Sequence, residues 1–386
     1  MRRSCYLFLE HYPGAPLMDI GIVRETYVGE TRVPLIPFAV GELVRQGHRV
    51  VIQSDAGAAS GFDDQAYREM GAGIVYSSDE AFARSKIVLK VYPPSWDEYG
   101  MLEDGQILFS FLQLSNATRK IVELLLARRV TAIGFEAIEE PGGNRPVLTA
   151  MSEIAGRMIV PIAAHHLQAR HGGRGILLGG VPGVAPATVV VLGAGVAGTN
   201  AALSASAMGA HVIVLDRDVA RLRALTERSH APIVTSTATP YNLQRFVPIA
   251  DVLVGAVFIE MEATPHLLDR ALVRRMRPGS VFVDVAIDQG GCSTTSRPTT
   301  ILDPVYVEEG VTHFCVPNIP ALVPRTATVA LSNILLPYLE QITKIGPDAV
   351  LTEQGTLARG VYTHDGFCSQ RKIADPLSLP LREVAP

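Results

Sequence analysis

Residues 187–216 constrain what this chain can fold into more than any other stretch. Thr188-Val-Val-Val-Leu192 is apolar and β-branched and reads as a buried strand, and Gly193-Ala-Gly195-Val196-Ala197-Gly198 follows at once. Residues 199–208 are small and Ala-rich, as a helix packed close to a sheet would be, and His211-Val-Ile-Val-Leu-Asp216 is a second apolar strand ending in an acid. In a Rossmann βαβ unit the first glycine makes the tight turn and the second lets backbone approach a pyrophosphate. The third brings helix and strand together, and the helix N-terminus faces the phosphates. An acid about 20 residues downstream hydrogen-bonds the adenosine ribose hydroxyls, the place that Asp216 occupies. Glycines alone would be weak evidence; strand, glycines, helix, strand and terminal acid together specify a dinucleotide site. A carboxylate at 216 repels a 2′-phosphate, so NAD is favoured over NADP, with Arg217 pointing the other way. The candidate cofactor set is Gly193, Gly195, Val196, Ala197, Gly198, Asp216 and Arg217, with Arg221, Thr239, Val257 and Ile287 from the segments that follow.

The rest of the chain alternates in the same manner. Strands are expected at 19–24, 48–53, 86–91, 107–112 and 131–136, with helices at 37–46, 63–70 and 116–128. A long helix over 151–168 and a Gly-rich connection over 172–183 lead into the central unit. There, strands at 188–192, 211–216, 233–236, 251–257, 280–286 and 311–316 make six, the count of a doubly wound dinucleotide domain. Thr239-Pro240 reads as an N-cap with proline at the first helical position. Helices are expected at 265–276 and 326–340. The fold class is therefore α/β with two Rossmann-like domains, a central NAD-binding doubly wound parallel sheet inserted in a discontinuous substrate domain. The expected boundaries are 147–324 for the NAD-binding domain and 19–146 with 325–386 for the substrate domain. Residues 1–18 read as a disordered extension, because Glu10, His11 and Pro13 break the apolar start too early for a signal peptide.

At 386 residues, two domains can each bury a core. A net charge of −4 gives no reason to propose nucleic acid or an anionic membrane as partner. No uninterrupted apolar run reaches the about 18 residues that a bilayer span needs. The four cysteines, Cys5, Cys292, Cys315 and Cys368, have no CxxC spacing and fit free thiols in a reducing compartment, so a cytoplasmic protein is expected. The histidines form no HxH or HExxH pattern and nothing calls for a metal. His165-His166 lies in a helix, where one neighbour can be buried and the other exposed.

Candidate chemistry gathers just past predicted strands. Asp288, in Asp284-Val-Ala-Ile-Asp288-Gln-Gly-Gly, would face a nicotinamide, placed for proton transfer or for holding an ammonium group; the plainer reading is a cap on Gly290 and Gly291. Arg32, between an extended segment and a helix, could clamp a substrate carboxylate with a bidentate pair, although a lone arginine is more often solvated. Lys90 and Tyr92 close one apolar strand and Gln113 closes the next, where they could line a cleft. Asn318 follows the last strand on the nicotinamide side.

These stretches together resemble the alanine dehydrogenase / pyridine nucleotide transhydrogenase family, alanine dehydrogenase more closely. The most specific pieces are Glu25…Glu30-Thr-Arg32-Val, Gly105-Gln-Ile-Leu-Phe-Ser-Phe-Leu, Met151-Ser-Glu-Ile-Ala-Gly-Arg157, Leu178-Gly-Gly-Val-Pro-Gly-Val, Val191-Leu-Gly-Ala-Gly-Val-Ala-Gly, Asp284-Val-Ala-Ile-Asp-Gln-Gly-Gly and Ser296-Arg-Pro-Thr-Thr300. The resemblance implies an interdomain cleft, NAD, reversible oxidative deamination of an amino acid and commonly a hexamer, so a homo-oligomer is expected. By position, it implies Arg32 as the carboxylate-binding arginine, Asp288 as the catalytic aspartate and Asp216 as the ribose acid. It also implies Ser152 near the pyrophosphate and Asn318 by the nicotinamide. Two positions depart. Where the family has a substrate-contacting lysine, this chain has Tyr92; where it has a catalytic histidine, this chain has Gln113. Glutamine exchanges no proton near pH 7, and tyrosine with its ordinary pKa of about 10 is neutral there. The expected function is therefore an NAD-dependent amino-acid dehydrogenase or imine reductase on a small-molecule substrate other than alanine, with Asp288, Tyr92 and Gln113 as catalytic candidates and Arg32, Lys90 and Asn318 as substrate contacts. Genuine alanine dehydrogenase activity, and a folded NAD-binding sensor or partner subunit without turnover, are the alternatives.

Overall fold

Short runs of aliphatic and β-branched residues, buried on both faces in the central strands, build two sheets whose inner parallel strands need no amphipathic alternation. The computed structural model describes residues 17–114, 117–257, 266–352 and 355–382. Its described residues fall into two units, one drawn from Met1–Leu148 with Pro324–Pro386 and the other from Thr149–Val323.

In the first unit, β1 (Asp19–Ile22), β2 (Arg49–Gln53), β3 (Gly73–Val75), β4 (Ile87–Leu89), β5 (Ile107–Ser110) and β6 (Thr131–Gly134) pair in parallel in the order β3-β2-β1-β4-β5-β6. The chain reaches the second unit through β7 (Thr188–Leu192), β8 (His211–Asp216), β9 (Ile233–Thr237), β10 (Val252–Gly255), β11 (Val281–Asp284), β12 (Val305–Glu308) and β13 (Val311–Phe314). Their order is β12-β13-β11-β10-β7-β8-β9, and every pair is parallel except β12 with β13. The chain then returns to the first sheet, where β14 (Val361–His364) pairs antiparallel with β6 and β15 (Phe367–Cys368) antiparallel with β14. Small residues let helices lie close: Ala201, Ala202 and Ala205 of the helix Val196–Ala207 are fully buried in the core cluster with Val189 and Val191.

The α/β doubly wound reading holds, with differences of detail. The second sheet has seven strands where the sequence pattern gives six, because β12 forms an antiparallel hairpin with β13 at the edge. β3 and the helices Ser78–Ala83 and Trp96–Met101, which the pattern also misses, are short. The helix expected at 265–276 shrinks to Arg270–Val273, capped by Asp269; before it, the amides of Leu267 and Leu268 both donate to the Cys292 carbonyl and keep the backbone extended. The helix expected at 151–168 runs Pro146–His166, and the one at 326–340 runs Pro324–Thr352 across a kink at Gly346. The helix Arg119–Ala127 starts later than 116, and Asn116 lies outside the described residues. So do residues 1–16, while Met18 is no part of a loose extension: its amide donates to His48 Nδ1 at 3.3 Å and its carbonyl accepts Arg49 N at 3.0 Å. Pro146–His166 is long and apolar enough to cross a membrane by length and composition. Ser152, Glu153 and Arg157 interrupt its apolar run, and Ile159, Val160 and Ala163 pack into the second unit's core.

Candidate active site

In the second unit the candidate residues gather at one sheet edge, because parallel strands send all their carboxyl ends the same way. β7 and β10 are neighbours at the point where strand order reverses, and the glycine turn leaves β7 there. The three glycines do three different things. Gly193 has φ of 100°, and a Cβ on it would lie 2.4 Å from the Ala256 carbonyl oxygen. A Cβ on Gly198 would lie 1.9 Å from the Gly193 carbonyl oxygen, so helix and strand approach only with glycine there. A Cβ on Gly195 would meet nothing within 4 Å. Its openness, at the N-cap of the helix Val196–Ala207, is what a pyrophosphate approaching backbone amides requires. Val196 and Ala197 form that helix's first turn. Gly156 of the helix Pro146–His166 packs its backbone there too, since a Cβ on it would be 2.3 Å from the Ala197 oxygen. Ser152 lies one turn earlier on the same helix.

Asp216 ends β8 and is buried; its Oδ2 accepts the Ala194 amide at 2.6 Å and its Oδ1 the Asp218 amide at 2.8 Å. It therefore ties the second strand to the glycine turn, and a carboxylate's further lone pairs suit ribose hydroxyls. Arg217 is exposed, and Arg221 lies 3.6 Å from Asp218 on the next helix. Thr239 follows β9 and caps the helix Pro240–Phe246, accepting the Asn242 amide as the Thr-Pro pair predicts. Val257 follows β10 and packs on the core. These residues fit a bound NAD.

Asp288 and Ile287 lie in a short 3-10 turn, Val285–Gln289, directly after β11; Ile287 is buried and Asp288 exposed. Asp284 caps this turn. Asp284 Oδ1 accepts Ala286 N at 3.0 Å, and its Oδ2 accepts Cys292 N at 2.9 Å and Ser296 Oγ at 2.5 Å. Burial raises its pKa and these donors lower it. The Gly290 and Gly291 amides donate to the Ile287 and Ala286 carbonyls, and Asp288 stands exposed in a turn that Asp284 pins. Asn318 follows β13 with a left-handed backbone, φ 60°. Non-glycine residues reach that region at a cost of order 1–3 kcal/mol and persist where surroundings over-determine them.

The first unit's candidates also follow parallel strands, and each rests on a buried acid. Glu30 Oε1 accepts the amides of Thr31 and Arg32 at 3.1 and 3.0 Å. Its two oxygens also take Arg32 Nε at 2.8 Å and Nη2 at 2.6 Å, so the guanidinium plane is fixed. Glu25 does the same beyond β4, accepting Val91 N at 2.6 Å and Tyr92 N at 3.3 Å. Glu136, beyond β6, accepts Leu112 N at 3.2 Å and Gln113 N at 2.7 Å. The strands end sooner than the apolar pattern suggests because these carboxylates take over the amides.

Lys90 is the clearest correction. It is fully buried, with Nζ 2.9 Å from Glu98 Oε1, 3.4 Å from Glu25 Oε2 and 3.5 Å from the Arg24 carbonyl. An apolar strand carries it inward, where its one ammonium is shared between two carboxylates and is not exposed to line a cleft. Burial pushes the Glu25 carboxyl up to about 7, against the pull of Lys90. Glu98 also completes a capping box with Ser95 on the helix Trp96–Met101. Tyr92 is half-buried, its ring stacked on Tyr27 at 4.0 Å between centroids. Gln113 is exposed, three residues past β5, with φ 48°. Glu25, Glu30, Glu136, Asp284 and Tyr27 carry no assigned role in the sequence pattern, although Glu25, Glu30 and Asp284 stand inside its most specific motifs. Elsewhere His165 is exposed and His166 buried. Cys292, Cys315 and Cys368 are buried free thiols, and Cys5 lies outside the described residues. Among the described residues no three His, Cys, Asp or Glu side chains are grouped to hold a metal.

Comparison with known proteins covers nearly the whole chain. The model of the alanine dehydrogenase/PNT N-terminal domain matches residues 21–155, and that of the C-terminal domain matches residues 159–371. The alanine dehydrogenase of Mycobacterium tuberculosis is 43% identical over 368 residues, 95% of this chain and 99% of its own. That of Mycolicibacterium smegmatis is 41% identical over the same share of each. A solved L-alanine dehydrogenase is 41% identical, covers 93% of this chain and 98% of its own, and gives a TM-score of 0.88. With both domain models matched in sequence, and relatives of this identity aligned from end to end, the chain belongs to the alanine dehydrogenase/PNT family.

Proposed function

We propose that this protein interconverts an amino acid and its 2-oxo acid with NAD, and that the amino acid is one other than alanine. It is an NAD-dependent oxidoreductase of the alanine dehydrogenase type, acting on a CH–NH2 group. The observation behind the substrate reading is a split in the site. Arg32 and Asp288 stand where the family resemblance puts its carboxylate anchor and catalytic acid, while Tyr92 and Gln113 replace a lysine and a histidine.

Bound NAD supplies the hydride acceptor, or in the reverse direction the donor. The chain's own residues bind and move protons. Arg32, its plane fixed by Glu30, holds the substrate carboxylate. Asp288 holds the substrate ammonium and takes the proton that must leave before Cα–H departs as hydride; water then adds to the resulting substrate iminium and ammonia leaves, giving the 2-oxo acid. Gln113 orients the substrate by hydrogen bonding and exchanges no proton. Tyr92, stacked on Tyr27, offers a ring where the family lysine would put a charge, which suits a substrate side chain larger than methyl. Arg32, Asp288, Gln113, Tyr92 and Asn318 are the site residues of this reading; Lys90 pairs with Glu25, which accepts the Tyr92 amide. We read the protein as a cytoplasmic homo-oligomer, which light scattering on the purified chain tests.

The names of the relatives favour alanine itself as the second reading. NADH formation against a panel of amino acids, including alanine and basic and aromatic members, decides between them. Highest turnover on another amino acid supports the proposal, and highest turnover on alanine rejects it while keeping the enzyme class. NADH binding without turnover on any amino or oxo acid makes the protein a sensor or partner subunit. Gain of alanine oxidation in the double variant Tyr92→Lys, Gln113→His supports the placing of both residues; folded protein without gain counts against it.

A further inference from the structure

Gln113 has a backbone conformation that its own side chain disfavours, and one carboxylate holds it there. Its φ of 48° is left-handed, and the ladder between β5 and β6 has already ended at Ser110 opposite Gly134. Beyond that point Glu136 Oε2 accepts Leu112 N at 3.2 Å, while Oε1 accepts Gln113 N at 2.7 Å and the Tyr362 hydroxyl at 2.9 Å. Tyr362 is buried on β14, the strand that returns from the C-terminal segment to pair with β6. Its ring packs against Gly134, where a Cβ would come within 2.2 Å of Cε2, and its hydroxyl reaches Glu136.

We propose that Glu136 and Tyr362 are positioning residues that fix the Gln113 peptide in its left-handed conformation and so aim its side-chain amide at the substrate. This rests on the reading of Gln113 as the substrate-orienting group. As a carboxylate, Glu136 accepts all three donors. Protonated, it loses its charge, and its bonds from Leu112, Gln113 and Tyr362 weaken from charge-assisted to neutral ones. Burial favours the neutral form, and the amides and the Tyr362 hydroxyl favour the anion. The other groups facing this cluster are Tyr99, on the helix Trp96–Met101, and Arg145, beside Tyr362. Removing the Tyr362 hydroxyl strips one donor from the anion, so the clamp fails at a higher pH than in the unaltered protein.

The test uses the full chain with Tyr362→Phe, Glu136→Gln, Gln113→Ala and the double variant Gln113→Ala, Tyr362→Phe. Kinetics are taken across pH on the amino acid turned over fastest, with NADH affinity read by fluorescence titration. Loss of one hydrogen bond to a charged group predicts about a tenfold fall in kcat for Tyr362→Phe. The acid limb of its pH profile moves upward and NADH affinity is unchanged. In the Gln113→Ala background the same change has no further effect, since a positioning group has nothing left to position. Independently of turnover, the amides of Leu112 and Gln113 exchange hydrogen faster in Tyr362→Phe. Multiplying effects in the double variant, an unmoved acid limb, or unchanged exchange at these amides overturns the proposal. Failure of the underlying reading looks different: Gln113→Ala alone would then leave kcat/KM for the amino acid intact. If Glu136→Gln does not fold, the Tyr362→Phe comparison still decides.

Discussion

The two sheets share a strand order and differ in what their strand ends offer. β3-β2-β1-β4-β5-β6 and β9-β8-β7-β10-β11-β13 follow the same doubly wound path. After β7 the chain turns on glycines and exposes backbone: Gly193 and Gly198 are fixed by near contacts, and Gly195 is open. After β1 the equivalent turn reads Val23-Arg24-Glu25-Thr26, with no glycine and with an acid that would repel phosphate. Around it the first unit holds the Arg32, Tyr92 and Gln113 amides on Glu30, Glu25 and Glu136, with Arg32 buried against Glu30, Tyr92 half-buried and Gln113 exposed. The second unit offers backbone at its glycine turn, and the first unit has no such turn after β1. Topology sets the edge at which a site forms, and the composition of the turns sets its chemistry.

The sharpest way to separate the two kinds of strand end is Asp288→Asn, the largest effect expected. Asparagine keeps the size and loses the base, so kcat falls by about a hundred- to ten-thousandfold. The glycine turn is untouched and NADH affinity stays within about twofold, since no named cofactor contact other than the residue itself changes. A fall in NADH affinity matching the fall in kcat would place Asp288 in cofactor binding instead.

Lys90→Met comes next and tests the first unit from beneath. It leaves Glu25 and Glu98 as buried carboxylates without their ammonium, a change that costs about 3–5 kcal/mol. Urea unfolding should show that loss. Unaltered stability with a raised KM for the amino acid would return Lys90 to the substrate and break the division between supporting acids and presented side chains.

Much of this was legible in the sequence where the signal is local. β7 and β8 lie where the apolar runs put them, at Thr188–Leu192 and His211–Asp216, because buried parallel strands need only a short β-branched run bounded by turns. β3, β12, β14 and β15 escape such reading; they are short and gain their stability from neighbours far away in the chain. The site divides in the same way. Polar residues just beyond strands mark themselves, which is how Arg32, Gln113, Asp288 and Asn318 come into view. The acids beneath them do not, since a glutamate past a strand looks like any solvated one. Glu25 meets an amide 66 residues on, and Glu136 meets a hydroxyl 226 residues on. Lys90 misleads for the same reason: its partners arrive from other segments.

Among those hidden acids Glu25 gives a pH signature. Glu25 titrates near 7 in the folded protein, raised chiefly by burial, against 4.5 as its ordinary value. Between the two, the folded state holds a proton that the unfolded state has lost. The contribution to stability is complete below about 4.5 and is lost as pH rises through 7, on the order of 3 kcal/mol in all. Denaturant midpoints at pH 5 and pH 8 should therefore differ less in Glu25→Gln than in the unaltered chain. An equal difference in both would mean that Lys90 holds Glu25 ionised throughout.

The smallest expected effect tests the backbone side of the comparison, at Gly195. Its φ of −71° is open to any residue, and a Cβ there meets nothing within 4 Å. Gly195→Ala should thus leave the fold intact, at a cost within about 1 kcal/mol for a poorer N-cap. Gly198→Ala would not serve, because its Cβ would run into the Gly193 carbonyl and disturb strand and helix together. At Gly195 the methyl enters only the space through which a pyrophosphate must reach the amides of the helix Val196–Ala207. NADH affinity should fall by roughly tenfold, about 1.4 kcal/mol, with the thermal midpoint of the free protein nearly unmoved. Undiminished affinity would show that the phosphates lie elsewhere on this edge. The glycine turn of the second unit would then offer them no backbone, and the contrast between the two units would fail.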